Sequence, residues 1–177
     1  MLWRTFPDAF PEEKCDEIIS LGLSLGTKDA TVFNNSDSVR RSQVGWIDNR
    51  ELLENLYHLV TIANSELFAF DVHKVAPIQF TKYSSDDSGW YDWHHDVDYA
   101  STKAFSRKLS VTVQLSDPRA YAGGDLQFSE CENPDSKVLR AKGTAIVFPS
   151  YLRHRVTPVT SGKRYSLVSW FEGPRWR

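Results

Sequence analysis

The stretch YDWHHDVDY, residues 91 to 99, places two histidines and three aspartates within nine positions. Imidazoles and carboxylates at this density are the raw material of a metal site. On a strand, side chains at i and i+2 share a face. His94 and Asp96 then point one way, while Trp93, His95 and Val97 point the other. A nitrogen and an oxygen donor are thereby aimed at one point. Asp92 and Asp98 share the parity of His94, so either is a geometric substitute for Asp96, but the order His-x-Asp favours Asp96. His95 falls on the opposite face and is read as a bystander.

A third donor stands about sixty residues further on, in FPSYLRHRVTPVTSGKRYSLVSWFEGP. His154 opens a strand-like run, and Arg164 follows ten residues later at the start of the next. A turn at TSGK would join these two runs as antiparallel neighbours and set their facing side chains side by side. His94, Asp96 and His154 make two histidines and one carboxylate. On one face of an octahedral ion they leave three positions open, the arrangement of non-haem Fe(II) sites that use oxygen. Two open positions suit a chelating 2-oxo acid and the third suits O2. A dicarboxylic co-substrate then needs a fixed cation at its far end, and an arginine fork matches a carboxylate. Arg164 fits, with Ser166 on the same strand face as a second donor. Lys163 and Arg155 are the other cations nearby. The same two histidines and carboxylate also suit a zinc hydrolase with a bound water, which has no need of an arginine after the distal histidine.

These residues must be positioned by a scaffold, and the chain changes texture along its length. PEEKCDEIISLGLSLG, residues 11–26, reads as a helix: Pro11 suits a first turn, Glu12 and Glu13 complement the helix dipole, and Ile18, Ile19 and Leu23 supply an apolar side. ATVF is strand-like and NNSDS a polar loop. SQVGWI is a second strand candidate, and Asn49 caps a second helix, RELLENLYHLVTIANSEL, with Leu52, Leu56, Leu59 and Ile62 at helical spacing. From about residue 76 short alternating segments take over: APIQFTKYS, KLSVTVQLS, GDLQFS, GTAIVFP, HRVTPV and RYSLVSWF. Gly, Pro, Asp and Ser clusters separate them, the pattern of a sandwich or barrel. The expected architecture is mainly β, a helical N-terminal support over about residues 1–75 and a β core over about 76–174, in one domain spanning 1–177. Gly123-Gly124 reads as a tight turn and not a phosphate cradle, since no helix pattern follows it. His58 and His73 read as ordinary surface or core-edge histidines. The segments flanking the metal motif, SSDDSGWYDW and DYASTKAFSR, carry Trp90, Tyr91, Trp93, Tyr99 and Phe105 in polar surroundings. Either these aromatics pack in the core, or one segment is a lid that closes over a bound side chain.

The chain has 177 residues, enough for one sizeable core. It is 41% hydrophobic and 25% charged with a net charge of −2, so nothing in its charge calls for a nucleic-acid partner. Cys15 and Cys131 fit no metal or redox spacing and are expected as reduced thiols. No secretory leader and no apolar run of about 20 residues is evident, and a soluble cytoplasmic protein is the expectation.

Taken together, His94-x-Asp96, the distal His154 and Arg164 ten residues beyond it resemble the signature of 2-oxoglutarate and Fe(II)-dependent dioxygenases, in the branch of prolyl 4-hydroxylases and bacterial PKHD-type hydroxylases. TKYSSDDSGWYDWH resembles the Lys-Tyr, Gly, Tyr run that precedes the motif, which makes Tyr83 a candidate partner of 2-oxoglutarate. RKLSVTVQLSDPRAYAGGDLQF resembles the strand pair joined at Gly123, Gly124, Asp125 and Leu126. The resemblance covers about residues 76–174. It implies a double-stranded β-helix, or jelly roll, and metal ligation by His94, Asp96 and His154. It further implies co-substrate binding by Arg164, Tyr83 and Ser166, with ascorbate as a possible reductant. In that reaction 2-oxoglutarate is decarboxylated to succinate and CO2 while a C–H bond is hydroxylated, first of all on a prolyl residue of a peptide, alternatively on a free amino acid or other small molecule. A non-catalytic jelly-roll binding module would keep the strands without three convergent ligands. The second histidine, His95, inside the motif is a departure from the family pattern.

Overall fold

The computed structural model describes residues 2–30 and 39–176, so the expected ATVF strand and NNSDS loop lie almost wholly outside the described residues. In chain order the elements are β1 (Arg4–Phe6), α1 (Glu12–Ser24), β2 (Lys28–Asp29), β3 (Arg40–Arg41), β4 (Gln43–Ile47), α2 (Arg50–Ala63), β5 (Lys74–Val75), β6 (Ile78–Ser84), β7 (Trp90–His94), β8 (Phe105–Gln114), β9 (Tyr121–Gly123), β10 (Leu126–Phe128), α3 (Ser136–Arg140), β11 (Ala145–Pro149), β12 (His154–Val156) and β13 (Val159–Pro174). They form two antiparallel sheets. The larger runs β1-β11-β8-β13-β6-β4-β2, with β5 and β9 also paired to β13, and the smaller runs β10-β12-β7-β3.

Period-2 alternation explains the layers. On β8, β13 and β6 the residues Leu109, Val111, Val113, Leu167, Phe171, Ile78 and Phe80 face one way and are buried against α1 and α2. The intervening residues face the smaller sheet and are largely polar: Ser110, Thr112, Gln114, Arg164, Ser166, Gln79 and Thr81. A sheet buried on both faces with one face polar is a scaffold for a site. Phe128, Ile146, Phe148 and Leu152 close one end between the sheets.

The helices form where expected but turn slightly different faces inward. Pro11 stands just before α1, and the buried residues are Cys15, Ile18 and Gly22, whereas Leu23 is exposed. Gly22 is the contact: a Cβ there would lie 2.5 Å from the Phe80 ring, so only glycine lets the helix approach the sheet this closely. Asn49 caps α2 by accepting the Leu52 N–H at 3.0 Å. The face of α2 that is buried runs Leu52, Leu56, Val60 and Ala63, while Leu59 and Ile62 lie at its edge. The helix stops at Ala63 and gives way to a π turn over Asn64–Phe68, short of the expected end.

One expectation is overturned. No hairpin joins the His154 and Arg164 runs at TSGK. Thr160–Lys163 lie inside β13, where a register shift and Gly162 at φ 71° kink the strand without ending it. β12 and β13 belong to opposite sheets, so His154 and Arg164 face each other across the interior and are not strand neighbours. SSDDSGWYDW is likewise no loop throughout: it folds into a single short turn, Ser85–Asp87, followed by β7.

Candidate metal centre and co-substrate pocket

β7 delivers His94 at its last residue, and β12 delivers His154 directly opposite, the two being paired in register. Asp96 sits two residues beyond the end of β7, in a bend, so strand parity is not what aims it. Its main-chain N–H donates to the Ser150 carbonyl at 2.9 Å, and this contact turns its carboxylate inward. The donor atoms of His94, Asp96 and His154 all lie within 4.8 Å of one another. His94 Nε2 is 3.7 Å from Asp96 Oδ1, and His154 Nε2 is 3.6 Å from Asp96 Oδ2. Both separations are too long for hydrogen bonds.

The outer nitrogens explain the orientation. His94 Nδ1 donates to the Asp92 carbonyl at 2.7 Å and His154 Nδ1 to the Leu152 carbonyl at 2.9 Å, since a carbonyl can only accept. Each Nε2 is therefore the nitrogen turned to the centre. Burial, reinforced by His154, pushes the His94 pKa down to about 3, so its ring is neutral at physiological pH. Burial acts to raise Asp96, but His154 and His94 outweigh it, helped by Arg107 and the Ser110 hydrogen bond, and hold the carboxyl below its usual range. Two imidazoles and a carboxylate turned to one point are a donor set for a divalent first-row cation. The rings are also braced by stacking: Tyr91 lies 3.5 Å from His94 at 10°, with the Arg40 guanidinium 4.6 Å from the Tyr91 ring, and Phe148 meets His154 edge-on at 4.8 Å.

The other candidates separate cleanly. His95 is exposed, with Nδ1 2.6 Å from the Tyr151 carbonyl, and faces away from the cluster. Asp92 and Asp98 are exposed and their carboxylates serve local backbone N–H groups. His58 and His73 are exposed and remote, His73 pairing with Asp71. Arg155 bonds Gln127 and lies over Trp93 on the outer face of the smaller sheet, and Lys163 is exposed.

Arg164, Tyr83 and Ser166 join His94, Asp96 and His154 in one cavity of about 210 Å³. Arg164 is paired with Tyr83 across β13 and β6, and its guanidinium carbon is 5.6 Å from the Tyr83 ring. It is only 5% exposed, and among the described residues no carboxylate lies within 4.0 Å of it. Among the described residues its guanidinium makes one side-chain hydrogen bond, to the Ser166 hydroxyl at 3.5 Å. A buried guanidinium without an anion is costly. The residue is built to receive one. Thr112, Leu126 and Arg164 form the wall between this cavity and a second one of about 190 Å³.

Several cavity residues were not anticipated. Trp170 and Val168 lie on the face of β13 that Arg164 and Ser166 share, so alternation from Arg164 points to them. Arg107 stacks on Trp170 at 3.7 Å, and Ser110 and Ser150 approach Asp96. No local pattern marks the last three.

The sequence pattern described as the 2OG-Fe(II) oxygenase superfamily matches residues 78–172, more than half of the chain. The chain belongs to that superfamily, whose members use Fe(II), 2-oxoglutarate and O2. It is 34% identical over 150 residues to a PKHD-type hydroxylase of Prochlorococcus marinus, covering 84% of this chain and 63% of that protein. It spans less than two thirds of the length of the first curated relatives it matches. Among solved structures it superposes on the viral collagen prolyl hydroxylase of Paramecium bursaria Chlorella virus-1 in complex with 2-oxoglutarate, with TM-score 0.76, 19% identity and 98% and 97% of the two chains covered. A prolyl hydroxylase from Trichoplax adhaerens, in complex with a peptide fragment of the hypoxia-inducible factor oxygen degradation domain, gives TM-score 0.73 at 17% identity over 96% and 82% of the chains.

Proposed function

We propose that the chain is an Fe(II)- and 2-oxoglutarate-dependent hydroxylase of prolyl residues in peptides or proteins, with His94, Asp96 and His154 as the metal ligands. One observation carries it: the three-residue donor set and a buried, anion-seeking Arg164 share one small cavity. We read residues 1–177 as one domain and the two facing sheets as a double-stranded β-helix.

When bound, the iron supplies oxidising power for an unactivated C–H bond. The protein's own residues bind and orient. His94 and His154 offer Nε2 while each Nδ1 donates to a backbone carbonyl, which fixes both rings toward the centre. Arg164 binds the far carboxylate of 2-oxoglutarate, and Ser166 and the Tyr83 hydroxyl lie at hand as further donors. The Tyr91, Phe148 and Trp170 side chains line the same cavity and exclude water from it. A peptide substrate is supported by the structural neighbours, a viral collagen prolyl hydroxylase and the Trichoplax adhaerens enzyme with its bound peptide fragment.

Two measurements test this. Anaerobic protein loaded with Fe(II) should develop a weak visible charge-transfer band on adding 2-oxoglutarate, which a zinc hydrolase or a binding module lacks. Proline-containing peptides and free amino acids are then screened by mass spectrometry for a gain of one oxygen coupled to succinate. Oxygen gained by free amino acids alone would remove the peptide assignment.

A further inference from the structure

Asp96 is the one metal-facing residue that no strand holds, since β7 ends at His94. Its carboxylate is nevertheless tightly constrained. Ser110, on β8 and fully buried, donates its hydroxyl to Asp96 Oδ2 at 2.6 Å. The Ser110 Oγ lies 2.9 Å from the Oγ of Ser150, which is also fully buried and follows β11. A carboxylate has no proton to give, so the Ser110 proton is committed to Asp96. Ser150 must then be the donor to Ser110. The direction of the chain is fixed: Ser150 to Ser110 to Asp96. Ser150 grips the same residue a second time, through its carbonyl on the Asp96 N–H at 2.9 Å. Its own N–H is anchored on the Lys108 carbonyl of β8 at 2.9 Å.

We infer that Ser110 and Ser150 are positioning residues that lock the Asp96 carboxylate so that it offers a single oxygen, Oδ1, to the metal. Oδ2 is occupied by a short, charge-assisted hydrogen bond. Oδ1 has no protein donor among the described residues and lies on the His94 side of the cluster. One-oxygen ligation preserves the three open positions that a chelating 2-oxo acid and a third ligand require; a second carboxylate oxygen on the metal would take one of them. Hydrogen-bond chains of this kind reinforce each other, so the Ser150 hydroxyl acts through Ser110 and not on Asp96 directly. The inference rests on the metal assignment above, and the test separates the two.

Mn(II) and Co(II) binding to the purified protein is measured in four variants, Ser110→Ala, Ser110→Thr, Ser150→Ala and the double alanine, together with the melting temperature of each metal-free form. If the unaltered protein binds neither ion, the metal assignment itself fails. Given binding, Ser110→Ala should weaken it about ten- to a hundred-fold, the range seen when outer partners of metal ligands are removed. Ser150→Ala should cost less. The double variant should match Ser110→Ala, since Ser150 has no route to the carboxylate hydroxyl-first without Ser110. The Co(II) ligand-field spectrum should change in Ser110→Ala, as the freed oxygen reaches the ion, and return to that of the unaltered protein in Ser110→Thr. Unchanged affinity and spectrum in Ser110→Ala overturn the inference. So does a lower melting temperature with no change in metal binding, because that marks a purely structural pair. Additive losses in the double variant remove the relay and leave two independent contacts.

Discussion

At the scale of single residues the pocket is an unbalanced charge set waiting for its ligands. Arg164→Ala should weaken 2-oxoglutarate about ten- to a hundred-fold, because a charge-assisted hydrogen bond contributes about 1.5–3 kcal/mol and each 1.4 kcal/mol is roughly a factor of ten. Arg164→Lys should recover only part of this, since a lysine keeps the charge but not the planar fork. Calorimetric titration of 2-oxoglutarate into metal-loaded protein decides; unchanged affinity in the alanine variant would move the carboxylate to another cation. His94→Ala, Asp96→Ala and His154→Ala should each abolish metal binding and succinate production, while His95→Ala keeps most of both, its ring being occupied with the Tyr151 carbonyl. That His94, Asp96 and His154 converge was legible because a donor set needs particular atoms at particular spacings. Arg107 and Ser110 were not. The register shift between Phe171 and Glu172 on β13 puts Leu109 opposite Phe171 and Arg107 opposite Glu172, so alternation counted along β8 does not carry from Ser110 to Arg107.

At the scale of elements, the periodicity of α2 located the helix but rotated its face. Leu56 is fully buried, whereas Leu59 lies at the edge of the core. Leu56→Ala should therefore cost about 2–5 kcal/mol and Leu59→Ala clearly less, measured by denaturant unfolding of the metal-free protein. Equal losses would favour the face read from sequence. Both leucines satisfy the helical spacing; the difference arises because α2 packs with Val60 and Ala63 against the sheet, and small residues at a contact are invisible to a search for large ones. TSGK misled for a related reason. A Ser-Gly pair signals a positive φ, and local sequence does not say whether that angle serves a turn or a kink within a continuing strand. Only the partners of β13 decide that, and they lie far away in the chain.

For the molecule as a whole, the two thiols report on which parts are sealed. Cys15 is buried on the inner face of α1, and burial pushes its thiol up to about 11, while Cys131 lies only partly covered. At pH 8 a thiol reagent should modify at most one cysteine of the native protein and two after unfolding; prompt reaction of both would mean that α1 opens readily from the sheet. A helical support packed on a β core was legible from the change of texture near residue 76, whereas the polar interior between two sheets was not. Nor was the assignment of strands to one sheet or the other, because alternation fixes faces and says nothing of neighbours.

β13 lies between β8 and β6, and its centre is paired on both sides at once: Ser166 with Gln114 and Thr81, Leu167 with Val113 and Phe80, Val168 with Thr112 and Gln79. Until it docks, β8 and β6 are two raw edges of an unfinished sheet. Before β13 is in place the chain therefore carries exposed hydrogen-bonding edges, and closing such distant pairings is slow. The same strand brings Arg164, Ser166 and Trp170, so one wall of the cavity is missing until it docks. A chain in which β13 has not yet docked is thus the form most exposed to edge-to-edge aggregation.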